Sequence, residues 1–185
     1  MREPVPGAGS AAHLPGFGRF GHQLLTLSKV MATAGSLVFV GLVVMSIISI
    51  VGRKLASAPI PGDVEILQMC AASACATFFA YCHLIGGDVK VDFFTARASA
   101  RTVRWLDALG SLLFALVGTA LAWRTLVSAL AVREAGETSL ILGWDVWIAQ
   151  MAMVPGFCLM ALAGLYMVGV HLRATSIPPA NKVRA

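Results

Sequence analysis

Four long apolar runs, at about 30–51, 64–85, 105–132 and 145–172, limit what this sequence can fold into more than any other feature. Each exceeds the roughly 18 residues at which a helix becomes able to cross a hydrocarbon layer about 30 Å thick. With 58% hydrophobic and only 12% charged residues, the chain is too apolar for a water-soluble domain of its length. In lipid every backbone N–H and C=O must find its partner within the protein, which a helix achieves by itself. The expected fold is therefore all-α and integral to the membrane. It has four transmembrane helices plus a short interfacial basic helix between spans two and three.

The formal charge of +5 would suit nucleic acid if the basic residues formed one patch, but they flank the apolar runs, which is a signature of membrane topology. With both termini and the middle connection on one side, that side holds Arg2, Arg19, Lys29, Lys90, Arg97, Arg101, Arg104, Arg173, Lys182 and Arg184. The opposite side holds Arg53, Lys54 and Arg133, and Arg124 lies within a span. Positive residues accumulate in the cytoplasm, so both termini are expected there. Cys70, Cys75, Cys82 and Cys158 all fall inside spans and form no C-x-x-C pair. They read as small, soft packing residues rather than a disulfide framework or zinc site.

In chain order, residues 1–28 carry three prolines and five glycines and read as a flexible cytoplasmic tail, at most ending in a short interfacial helix. The first long span starts too late and runs too far for a cleaved signal peptide. Pro59, Pro61 and Gly62 make a tight turn into the second span, where Asp63 and Glu65 suit the positive end of the helix dipole. Arg53 and Glu65 then fall at the outer ends of neighbouring helices. They can form an ion pair there or remain separately solvated.

Residues 71–76, Ala-Ala-Ser-Ala-Cys-Ala, are all small and allow another helix to approach closely. Asp92 can cap a segment over 93–104 whose Arg97, Arg101 and Arg104 share one stripe, suited to lipid phosphate. Arg124 either snorkels to the outer interface or pairs within a protein interface. Trp144 and Trp147 form an aromatic belt at the mouth of the fourth span, which Pro155-Gly156 should kink. The tail, 173–185, is again basic. Candidate contacts with a partner helix or lipid are Arg53, Glu65, Ala72, Ala76, Asp92, Arg97, Arg101, Arg104 and Arg124.

Common hydrolase, nucleotide-binding and zinc-protease motifs are absent from the sequence, and carboxylates stay near the ends of the spans. An ion or proton path through this chain alone would need them at mid-membrane. No cofactor is expected. One rival reading is a haem-binding membrane anchor, because His83 and His171 end the second and fourth spans on one side and can be drawn as axial ligands. Interfacial histidines of this kind more often satisfy a helix end. A quinone-coupled thiol oxidant would need cysteine pairs at the outer face, which the sequence lacks.

Arg53, Glu65 and the run Gly86-Gly87-Asp88-Val89-Lys90-Val91-Asp92 recur at the same spacing in a known family. So do the turn Glu137-Thr138-Ser139, the tryptophans 144 and 147, and Pro155-Gly156. The chain resembles, over nearly all of 30–172, the small membrane subunit of tripartite ATP-independent periplasmic (TRAP) transporters. Asp88 departs from it, since the family often has histidine there. The resemblance implies a non-catalytic subunit in the bacterial inner membrane that braces a large, sodium-coupled membrane subunit. A periplasmic binding protein would deliver a small organic acid to the pair, and phospholipid headgroups would meet the basic segment. The small subunit of the tricarboxylate tripartite system is the nearest neighbour within transport.

Overall fold

The computed structural model describes residues 18–55, 60–87 and 100–175. They form four α-helices: α1 (Arg19–Leu55), α2 (Asp63–Leu84), α3 (Ala100–Ala135) and α4 (Val146–Thr175). All four are long and apolar enough to cross a membrane, as the apolar runs require. α2 and α4 begin within a residue of expectation, and α4 continues through Pro155.

Two boundaries differ. α1 starts at Arg19, well before 30, so the end of the expected tail is helical and continuous with the first span. Its buried residues explain the extension: Gly21, Leu24, Ser28, Ala32, Gly35, Leu42 and Ser49 recur every three, four or seven positions along one seam. Much of that seam is small rather than apolar. The last part of the expected basic helix, 100–104, is the start of α3, while Asp92, Arg97 and the rest of that segment lie outside the described residues.

The helices form an open row rather than a closed bundle. α4 packs against both α2 and α3, α1 packs mainly on α2, and among the described residues α1 and α3 do not meet. α2 and α3 have no close backbone approach, but His83 of α2 stacks on Phe114 of α3 with ring centroids 4.1 Å apart. α4 is the central member, with half of its membrane window buried against 17% for α1.

In lipid, close van der Waals contact must replace the drive to hide apolar surface from water. Alanine and glycine accordingly line the helix crossings, beside larger buried side chains such as Leu84, Leu159, Met160 and Met167. Ala76, Ala80, Ala115, Ala129 and Ala163 are each at most 2% exposed. A Cβ on Gly118 would lie 2.8 Å from the Ala161 nitrogen, and one on Gly164 would lie 2.8 Å from the Ala115 nitrogen. These paired contacts fix the antiparallel crossing of α3 and α4. The larger Leu, Val and Ile side chains of α1 and α3, such as Leu37, Val40, Ile47, Leu113 and Leu116, point outward.

α1 has 37 residues, about 55 Å at the α-helical rise of about 1.5 Å per residue. Its start nevertheless meets Tyr166, only 20 residues into α4, about 30 Å along that helix by the same rise. The Gly18 N–H donates to the Tyr166 hydroxyl at 3.1 Å, and Phe20 packs against the Tyr166 ring. At the other end Ser49 and Arg53 reach the first residue of α2.

Candidate functional site: a carboxylate-held corner

The polar groups that the fold gathers lie at the corner where α1 turns into α2 and α3 turns into α4. Gly62 precedes α2 with φ of 75°, the left-handed region that glycine enters without penalty. A Cβ there would overlap the Leu142 side chain of the α3–α4 loop. Gly62 thus makes the turn and admits the loop at once.

Two carboxylates in the first turn of α2 divide the work. Asp63 faces α1, where its Oδ2 accepts from the Ser49 hydroxyl at 2.5 Å and from Arg53 Nη2 at 3.4 Å. Its Oδ1 accepts from the Val64 N–H at 2.8 Å. Glu65 faces the α3–α4 loop and accepts from the Ser139 hydroxyl. It also accepts from the backbone N–H groups of Ile141, at 3.2 Å, and Leu142, at 3.3 Å.

The loop is a small hairpin in its own right. Thr138 and Asp145 pair as an isolated antiparallel bridge. Ser139 N–H donates to Trp144 C=O at 2.8 Å and Gly143 N–H to Ser139 C=O at 3.0 Å. Beside it, the Arg133 guanidinium lies 5.0 Å from the centre of the Trp147 ring, a cation–π contact.

Neither of the two readings left open for Arg53 and Glu65, an ion pair or separately solvated charges, describes the corner, because Arg53 bonds Asp63 and Glu65 is committed to the loop. The reason is positional. Residues 63 and 65 lie about 200° apart around a helix, so one faces α1 and the other faces away. The Arg53 side chain is 60% exposed, so its ion pair is a minor contributor in water.

Among the other expected contacts, Ala72 is exposed, whereas Ala76 is buried inside the chain. A Cβ on Gly156 of α4 would lie 2.6 Å from the Ala76 carbonyl oxygen, so Ala76 belongs to the α2–α4 crossing and is not free for a partner. Arg124 is exposed on α3 beside the exposed Trp123. Arg101 and Arg104 fall in the first turns of α3. Sequence reasoning placed Gly62 in the turn before α2 and Ser139 in the turn after α3, but missed Ser49 as a partner of Asp63 and Ser139 as the partner of Glu65. A serine less than two turns before the end of α1 was the available signal for Ser49.

Ala76→Leu should therefore destabilise the isolated chain by about 1–3 kcal/mol, the usual cost of overpacking, while Ala72→Leu should leave its unfolding midpoint in detergent unchanged. Equal midpoints for the two variants would contradict the assignment.

A groove of about 670 Å³ runs between α1, α2 and the start of α4, lined by residues including Gly35, Val38, Ile66, Ser73 and Ile148. Two of its hydroxyls are satisfied within the chain: Ser73 donates to Ala149 C=O at 3.0 Å and Thr77 to Ala74 C=O at 2.7 Å. No group of three or more metal-ligating side chains occurs among the described residues. His83 is buried with one ring face against Phe114. The chemistry of this corner is that of a fastening: charged acceptors close a loop onto a helix end.

Neither a curated protein nor a solved structure matches the chain. The family model described as tripartite ATP-independent periplasmic transporters, DctQ component, matches residues 20–174, which takes in almost all of α1 and α4 and the whole of α2 and α3. The chain belongs to the DctQ component family of TRAP transporters and is a membrane-spanning transport component rather than an enzyme.

Proposed function

We propose that the chain is the small permease subunit that braces a large sodium-coupled subunit during uptake of a small organic acid supplied by a periplasmic binding protein. The observation that carries this reading is the open row, in which α4 is covered on both flanks while α1 and α3 turn large apolar side chains outward. Such faces suit lipid on one side and a larger helical partner on the other. The carboxylates in the first turn of α2 accept hydrogen bonds from Ser49, Arg53, Ser139 and the loop backbone. They serve the fold, which leaves ion coupling to the partner. Placement in the inner membrane with both termini cytoplasmic rests on the imbalance of Lys and Arg across the spans.

Two measurements test this. Co-expressed with the large subunit, the tagged chain should retain it through affinity purification, and Ala72→Leu should lower the yield without unfolding the chain. Full retention by this variant would remove Ala72 from the interface, and no retention by the parent would remove the proposal. For topology, single cysteines at Ser57 and Glu137 should react with an impermeant maleimide in intact cells, and one at Asn181 should not. The reverse pattern would invert the orientation.

A further inference from the structure

We propose that the α3–α4 loop is a membrane anchor whose tip, Leu140 and Ile141, seats at the boundary between phospholipid headgroups and acyl chains. Leu140 is 98% exposed and Ile141 64%, with Trp144 beside them at 56%. Residues 140–144, Leu-Ile-Leu-Gly-Trp, carry no charge, while Arg133, Glu134, Glu137 and Asp145 flank them.

Depth follows from contact. α2 has 22 residues, about 33 Å at the α-helical rise, barely more than the hydrocarbon thickness of about 30 Å. Its first turn must therefore lie at the hydrocarbon edge. Glu65 and Gly62 hold the loop against that turn, so the tip lies at the same level rather than out in water.

The backbone is also prepared for burial. Ser139 and Gly143 N–H groups bond within the hairpin, and those of Ile141 and Leu142 bond Glu65. With these four N–H groups already bonded within the protein, the loop can present Leu and Ile to lipid at a lower desolvation cost. Trp144 adds a side chain that favours the interface. Glu65 is then a positioning residue for a lipid contact, in addition to closing the corner. The inference rests on the chain's membrane placement and is independent of which solute is carried or which compartment the corner faces.

The test is a spin label at Leu140→Cys in the full chain, with Cys70, Cys75, Cys82 and Cys158 changed to alanine, in phosphatidylcholine–phosphatidylglycerol vesicles. Labels at Glu137→Cys and at the outward-facing Leu116→Cys serve as references for water and for the acyl region. The ratio of collisions with oxygen to collisions with a polar nickel chelate should be several-fold higher at 140 than at 137, and lower than at 116. A ratio at 140 equal to that at 137 would overturn the proposal. Protection that appears only when the large subunit is added would also overturn it, by making the tip a protein interface. In a Glu65→Ala background the ratio at 140 should fall towards that at 137, and an unchanged ratio would remove Glu65 from the anchor. If that variant fails to fold, the depth measurement in the parent chain still decides the lipid contact.

Discussion

Gly164→Leu is expected to separate α3 from α4 and to lower the unfolding free energy in detergent by about 3 kcal/mol, the upper part of the usual range for overpacking. The obstacles to a side chain here are the backbone nitrogen and Cα of Ala115, at 2.8 and 2.9 Å from an added Cβ. They cannot rotate aside as the tip of a flexible side chain can. The neighbouring contact of Gly118 with Ala161, three residues along each helix, would open with it. Gly110→Leu is the control, because a Cβ there meets nothing within 4 Å. The two variants share a residue change and a helical context, so a large difference in unfolding midpoint isolates the crossing. Similar midpoints would show that the close approach is not what joins the two helices.

The second large effect is expected at Glu65. Replacing it with alanine removes the acceptor for the Ser139 hydroxyl and for the Ile141 and Leu142 N–H groups together. At the membrane edge these donors have little water to turn to, so their loss is felt more than that of an exposed ion pair. Amide hydrogen exchange of the 137–145 segment should lose its protection, while the interiors of α3 and α4 should keep theirs. Glu65→Gln should fall between the two, since one amide oxygen still accepts but the amide NH2 faces the loop's donors. Arg53→Ala should leave this segment unchanged, because Arg53 bonds Asp63 on the opposite side of α2. Unchanged exchange in Glu65→Ala would contradict the fastening role.

What the amino-acid sequence discloses and what it hides have one physical origin. Apolar runs longer than a membrane is thick announce helices directly, so the four spans were legible. The early start of α1 was not, because Gly21, Ser28, Ala32 and Gly35 bury a seam of small residues that hydropathy does not register. Ala72 and Ala76 sit one turn apart on nearly the same face of α2. Only the position of Gly156 on the crossing helix determines that Ala76 is covered while Ala72 stays exposed. Arg53, Asp63 and Glu65 were visible as a charged cluster, but the partner of Glu65 lies 74 residues away at Ser139. That α2 and α3 return the chain to the same membrane face follows from the spans, but the folding of the α3–α4 loop onto the first turn of α2 is encoded by no local pattern.

The division of labour between this chain and its larger partner is the central claim. Coupled uptake needs buried ion-binding groups and an element that exposes the site to each side in turn. The carboxylates near the start of α2 are instead bound into the corner. The direct measurement is uptake of a radiolabelled organic acid, chosen as one that the cognate binding protein binds, into proteoliposomes under a sodium gradient, with each component omitted in turn. The account predicts uptake only when the chain, the large subunit and the binding protein are all present. Sodium-driven uptake by this chain alone, or undiminished uptake without it, would contradict it.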